Sequence, residues 1–379
     1  MDLNGNLILE LERALIEILP VNFIEVYKRS LNTGIFKAAN AKLKYVNGTS
    51  VAIQDVITES VEIIQPIDSG LAYNNLLTNL PEFNAVNKKR TYKVDLAKFY
   101  VSKTIDLQKL IETGLGGLQP DFNKKDLVDN INSYILQLIQ GVSLAYSETI
   151  HKMVADMITT GTSNFMTGIQ WSIAPDTLFN FTFINTNFSS ATVNPLLELE
   201  KMYNQISSQP LLKGLFNGAT VIMGEEAWRN FYFNPNVQER IKYFEMSAYP
   251  KEDSIIKYDF SPVIHRMTHK MIDIYEVTPE ARLKNSLSSY LINPNTLVFM
   301  LNMPENVIVL SNKENYAAKS NGVMQYNIEE AIKRDIDKRA LAIDYYTHQF
   351  QPNLLTFVAR VNLGIVLKYP EAIGVVTIS

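Results

Sequence analysis

Apolar side chains recur at three- and four-residue steps in some stretches of the chain and alternate with polar ones in others, which predicts helices and strands mixed along the length. Leu7, Leu11, Leu15, Ile18 and Leu19 share one helical face before Pro20 interrupts, so residues 3–31 read as a short helix followed by an extended arm. From Ala41 to about Ile64 the pattern alternates around Asn47-Gly48, which predicts paired strands and a long hairpin. TYKVDLAKFYVSKTID alternates again, until Thr113-Gly114-Leu115-Gly116-Gly117 breaks the pattern as a hinge. The strongest signal runs from Asn123 to about Thr159. There Leu127, Ile131, Ile135, Leu138, Val142, Met153 and Met157 fall on helical steps, a helix of roughly ten turns at about 3.6 residues each.

Residues 161–193, rich in Thr, Asn and Phe, read as loop and strand. Asn194-Pro195 then supplies a cap and a first-turn proline for a helix with Leu196, Leu199, Tyr203 and Ile206 on one face. The apolar run Thr220–Met223 predicts a strand that Gly224 ends, and a helix with Ala227, Trp228 and Phe231 follows at once. Farther on, NIEEAIKRDIDKRALAID predicts a helix, and the β-branched residues of LLTFVARVNLGIVLKYPEAIGVVTIS predict that the end of the chain lies in a sheet. No internal repeat is visible.

Composition narrows the classes of function. The chain has 379 residues, 46% hydrophobic and 20% charged, enough apolar material for a large core. A formal net charge of −4 gives no general attraction to phosphate backbones or anionic membranes. With no cysteine there is no disulfide, thiolate nucleophile or cysteine-based metal site, which suits a reducing cytosol. The acidic start MDLNGNLILELERALIEILP lacks the basic end of a signal peptide, and no run is long enough to span a bilayer, so the expectation is a protein that is neither exported nor membrane-bound.

Candidate chemistry is weak everywhere. Glu225 and Glu226 lie where strand hands over to helix, where carboxylates are favoured by unpaired amides, and neighbours on a helix point about 100° apart, poorly placed to clamp one reacting bond. His265 and His269 are four apart and are placed to share a helix face, but the intervening Arg-Met-Thr lacks the glutamate of the metalloprotease motif; Asp253, Asp259 and Asp273 are the aspartates nearby to complete a metal site. Glu329, Glu330, Asp335 and Asp337 are interleaved with Lys333, Arg334, Lys338 and Arg339, a salt-bridged helix surface more than a cation site. No Gly-x-Ser-x-Gly elbow is present. The expectation is no catalytic residue, no cofactor and no metal.

A resemblance fits this. Asn194-Pro195-Leu196, then Val221-Ile222-Met223-Gly224, then Ala227-Trp228, then Asn234-Pro235-Asn236-Val237 follow the order of a Pro-Leu helix, a strand, a Gly-x-x-Ala-Trp/Phe helix and an Asn-Pro-x-Val turn. That order resembles the lambda-type major capsid proteins of tailed phages. Upstream, DLAKFYVSKTID, the long helix and ITTGTSNF are similar to the family's strand, spine helix and Thr-Gly exit. The end VNLGIVLKYPEAIGVVTIS is similar to the strand-Pro-x-Ala-strand terminus of Hong Kong 97-type shell proteins. The likeness runs from about residue 80 to the end, and residues 285–321 depart from the family's pattern.

The resemblance implies an α+β Hong Kong 97-type capsid fold. Its parts are an N-terminal arm (1–40), an extended hairpin loop leading into the peripheral domain (41–100), a peripheral domain with the spine helix (101–193), a mainly axial domain (194–325) and C-terminal strands returning to both (326–379). The implied function is self-assembly, as hexamers and pentamers, into an icosahedral head around double-stranded DNA held without sequence-specific contact. A separate scaffolding protein, a portal and a decoration protein are the implied partners, and the location is the virion, assembled in the host bacterial cytoplasm. Alternatives are an encapsulin-like nanocompartment shell, a tail or minor head protein, and a metal-dependent hydrolase using His265 and His269.

Overall fold

The computed structural model describes residues 34–46, 57–64, 89–106, 141, 144–163, 171–172, 178–209, 212, 214–243, 263–278, 290–312, 342–348 and 351–379. In chain order these carry α1 (Gly34–Ala38), β1 (Lys42–Val46), β2 (Ile57–Ile64), β3 (Lys89–Asp106), α2 (144–160), β4 (Thr162–Ser163), β5 (Trp171–Ser172) and α3 (Pro195–Ser207). There follow β6 (Ala219–Met223), α4 (Glu225–Tyr232), α5 (Pro235–Tyr243), β7 (Val263–His269), β8 (Ile272–Val277), β9 (Thr296–Leu301), β10 (Val307–Asn312), β11 (Ala342–His348), β12 (Gln351–Leu367) and β13 (Ile373–Thr377).

Two sheets organise them. The larger has strand order β1-β10-β12-β3-β2 with β11 also paired to β12; the smaller has order β13-β9-β6-β8-β7. The chain passes from one to the other near its end, where a single 3-10 turn at Pro370–Ala372 separates β12 from β13. Proline fits that corner because its φ is preset and no ladder needs its missing N–H.

The smaller sheet is covered on both faces, and β6 shows why its residues are all apolar or Thr. Val221 and Met223 face a helix layer in which Leu196, Leu199, Met202 and Ile206 of α3 and Ala227 and Phe231 of α4 are buried. Ile222 faces the opposite way, into a core shared with Met153, Val154 and Ile158 of α2 and with Leu363 and Ile365 of β12. A strand buried on both faces loses its alternation, as β6 does. Asn194 caps α3 by accepting from the Leu196 N–H at 3.1 Å, and Pro195 opens the first turn, as the sequence predicts.

Three expectations need correction. The hairpin does not join the two halves of Ala41–Ile64. β1 pairs in parallel with β10, and β2 pairs antiparallel with β3, from Ile57 opposite Leu96 to Ile64 opposite Lys89. Alternation identifies a strand without naming its partner; β1 is drawn to β10, whose Val307–Leu310 are wholly buried. The helix expected to run through Asp344 does not take in its last three residues, because Ala342, Ile343 and Asp344 belong to β11, laddered against Ala359 and its neighbours in β12. Aromatic and β-branched residues just beyond, Tyr345, Tyr346 and Thr347, favour the pleated surface. Third, His265 and His269 lie on a strand, β7, and share no helix face.

Residues 144–160 carry the end of the predicted spine helix, with Met153 and Met157 buried; Leu127, Ile131, Ile135, Leu138 and Val142, the arm helix and the acidic cluster at 329–337 lie outside the described residues. No helix among the described residues is long and apolar enough to cross a membrane.

Candidate functional site

The strand-to-helix corner at Gly224 carries the paired carboxylates, and its geometry is that of a helix start. Gly224 is the N-cap of α4 with extended backbone, and Glu225 and Glu226 fill the first turn. Glu226 lies 3.7 Å from Arg229 one turn on, an exposed pair. Glu225→Gln and Glu226→Gln are each expected to lower stability by no more than about 0.5–1 kcal/mol in urea unfolding, the worth of an exposed first-turn charge.

The aromatics beside them are structural too. Trp228 stacks on Phe231 at 5.6 Å between centroids and lies 5.5 Å from Tyr232. Over its ring sits the Arg266 guanidinium, 5.9 Å from the centroid, while Arg266 Nε donates to Glu276 Oε2 at 2.6 Å. Glu276 is buried, and this charge-assisted bond satisfies it. Helix α4 is thereby tied to the β7–β8 pair.

A register shift in β7 between His265 and Met267 separates the two histidines. His265 makes an edge contact with the Tyr275 ring at 5.1 Å, and its Nε2 lies 3.2 Å from the Thr268 hydroxyl. Beyond the bulge Met267 enters the helix-layer core, and His269 Nε2 lies 2.8 Å from Glu200 of α3. The extra residue changes the parity of the strand. The imidazoles therefore meet different partners, on opposite faces of the sheet, and are not brought together. Asp273 accepts from Thr268 at 2.6 Å, and among the described residues no three His, Cys, Asp or Glu side chains are grouped to hold a metal. Burial, with the Asp273 charge adding, pushes the Tyr275 phenol above its ordinary range, so it stays neutral.

Two polar clusters hold this unit together. Glu200 accepts from His269 and from Lys270 Nζ at 2.5 Å, joining α3 to the β7–β8 turn. The Lys270 hydrogen bond holds the Glu200 carboxyl below the usual carboxylate range, against the opposing pull of burial and with His269 assisting. Such a depressed carboxyl stabilises the fold above its unfolded pKa, and the contribution is lost as pH falls through the folded value. Lys270→Gln is expected to lower stability at neutral pH and to make the acid limb of a stability–pH profile shallower, the difference from wild type closing as pH falls through the folded Glu200 value. The other cluster is Asn234. It is buried, and its amide donates to the carbonyls of Phe188 (2.9 Å), Ser190 (2.9 Å) and Val193 (3.1 Å) while Oδ1 accepts from the Asn236 N–H. The Asn-Pro dipeptide was the only sequence signal of it.

No family model matches the chain, and no curated protein matches it in sequence. Solved structures do match. The assigned capsid protein of a prophage of E. coli CFT073 aligns over 96% of this chain and 99% of its own, with TM-score 0.53 and 13% identity. The chain shares the fold of that protein. A phage-related protein from Bordetella bronchiseptica RB50 (TM-score 0.46, 10% identity, 94% of each chain) and a capsid chain of Cyanophage P-SCSP1u (TM-score 0.45, 10% identity, 92% of this chain and 88% of that one) are also similar, below the level at which likeness carries weight. On this shared fold the Gly224 corner joins β6 to α4 inside the smaller sheet-and-helix unit, and its carboxylates start a helix.

Proposed function

We propose that this chain is the major capsid protein of a tailed bacteriophage, of the lambda-type family with a Hong Kong 97-type fold, and that it assembles into the icosahedral shell of the phage head around double-stranded DNA. The observation that carries the reading is the end-to-end alignment with the prophage capsid protein, 96% of one chain on 99% of the other. It is supported by the order of the motifs from Asn194-Pro195 to Asn234-Pro235-Asn236-Val237, which fall on α3, β6, α4 and the start of α5.

In this reading residues 1–40 are the arm, and 41–100 include the extended hairpin, to which the β2–β3 ladder corresponds. Residues 101–193 form the peripheral domain around α2, 194–325 the axial domain built on the smaller sheet, and 326–379 the strands that return to both. The role is structural, without catalysis or cofactor. The mild net charge of −4 suits an inner wall that does not grip DNA. A scaffolding protein, a portal and a decoration protein are the partners it calls for, and the virion is its place.

Sedimentation velocity of the purified chain, alone and co-expressed with a scaffolding partner, tests this. Capsomers of five or six copies, or much larger shells, are expected. A monomer or dimer under every condition overturns it, and shells that retain a protein cargo and exclude DNA favour the nanocompartment alternative.

A further inference from the structure

We propose that the turn between β9 and β10, with Lys42, Lys44 and Lys368 gathered around it, is a contact site for the phosphate backbone of duplex DNA. The proposal rests on the shell reading above and names where on this chain the enclosed DNA is touched.

The turn is fixed from three sides. Asn40, just past α1, donates from Nδ2 to the Met303 carbonyl at 3.2 Å. Asn306 is buried; its Oδ1 accepts from Tyr369 N and its carbonyl from Lys368 N, both at 2.8 Å. Directly after the turn β10 pairs with β1, Lys42 opposite Ile308 and Lys44 opposite Leu310. Side chains remote in sequence are thereby held together. Glu305 takes a left-handed backbone (φ 52°) and accepts from Lys44 Nζ at 2.5 Å. The Lys44 hydrogen bond holds its carboxyl below the usual carboxylate range, against burial, and the charges of Lys44, Lys368 and Lys42 act in the same sense.

Three ammonium groups thus surround one carboxylate, a local excess of two positive charges in a chain whose formal net charge is −4. Among the described residues only Lys44 of the three is in an ion pair. Lys42 is exposed, and Lys368, half-buried, lies 5.2 Å over the Tyr369 ring. Protection of a sheet edge accounts for part of this, since β1 is an outer strand and edge lysines repel stray strands. It does not account for Lys368, which follows β12, an inner strand. Lys37, in the last turn of α1, adds a fourth cation: with Asn40 and Pro304 it lines a cavity of about 630 Å³ beside the turn. The one carboxylate in that lining, Asp273, accepts from Thr268 at 2.6 Å and lies 3.5 Å from His265.

The composition selects the partner. Protein interfaces are depleted in lysine and anchored by buried aromatic or arginine side chains. None of the exposed large apolar residues of the described chain, Phe183, Leu197, Phe233, Met271 and Tyr290, belongs to this cluster. Lysine without such an anchor is the composition of a phosphate contact, which positions a duplex and reads no sequence. Lys42 and Lys44 share one face of β1 while Leu43 packs against the core. Two residues along a strand span about 6.6 Å, and a DNA strand carries one phosphate for about every 3.4 Å of axis, so a single passing backbone meets both lysines. Three lysines per copy make a weak contact that salt loosens, which suits DNA that has to move past the wall.

A fluorescein-labelled duplex of mixed sequence, titrated with the unassembled chain at low salt and followed by fluorescence anisotropy, tests the site. Binding is expected, with log K falling linearly against log salt by about 0.9 for each lysine engaged. Lys42→Gln/Lys368→Gln is expected to weaken binding roughly tenfold and to reduce that slope by about two. Glu305→Gln, which removes the carboxylate and leaves the lysines, is expected to tighten binding severalfold. Both variants should melt close to the wild-type temperature, as exposed charges contribute little to stability. A folded double variant that binds like the wild-type chain, or a wild-type chain that binds polyglutamate more tightly than the duplex, overturns the site and leaves the shell role standing. Failure of the wild-type chain to assemble removes the enclosed DNA and overturns both.

Discussion

Gly224→Ala is expected to cost about 3 kcal/mol or more of folding stability, enough to leave little soluble protein. The reason is backbone, with nothing flexible to move aside. A Cβ at this position would lie 2.6 Å from the Pro294 carbonyl oxygen and closer still to that of Asn293. Neither carbonyl is free to retreat. The Pro294 carbonyl accepts from Ala227 N at 2.9 Å and the Asn293 carbonyl from Thr296 N at 2.9 Å, while Gly224 N donates to Thr296 O at 2.8 Å. Making room would break the hydrogen bonds that seat α4 on the start of β9, and Trp228, Phe231 and the Arg266–Glu276 pair would lose their register with the sheet. Equilibrium urea unfolding of the unassembled chain, or a shift of melting temperature, checks this; a loss of under 1 kcal/mol would mean that the corner is looser than its contacts indicate.

A loss of similar size, about 3 kcal/mol or more at neutral pH, is expected for Asn234→Asp. The change is nearly isosteric, so packing contributes little to it. What changes is polarity: the amide nitrogen that donates to the Phe188, Ser190 and Val193 carbonyls becomes an oxygen facing three oxygens. Burial and those carbonyls together raise the carboxyl's folded pKa, so the folded variant binds a proton more readily than the unfolded chain. The loss should therefore shrink as pH falls toward the ordinary carboxylate range and grow as pH rises above it. A stability difference from wild type that does not vary with pH would show that the side chain has turned away from the carbonyls.

Local and long-range features differ in how far the sequence carries them. Gly224 and Asn194-Pro195 were legible because their jobs are local: ending a strand, capping a helix, opening a first turn. So was the reading of Glu225 and Glu226 as helix-start residues, since the amides they complement lie within one turn. The partners of β1 and β11 were not legible, because alternation says only that a segment is a strand, and the β10 residues that accept β1 are far away in the chain. The separation of His265 from His269 was hidden for a related reason. A single extra residue in β7 changes which face every later side chain meets, and nothing in Arg-Met-Thr announces it. The Glu200–Lys270 bond and the three carbonyls gathered by Asn234 likewise depend on tertiary approach. The overall α+β character and the capsid likeness survive such errors because they rest on the order of many elements.

The central claim is that this chain exists to associate with copies of itself, and negative-stain electron microscopy of the purified protein, with and without a co-expressed scaffolding partner, tests it most directly. Closed shells, or rings of five and six copies, are the predicted result. A uniform field of single compact particles in every preparation would contradict it.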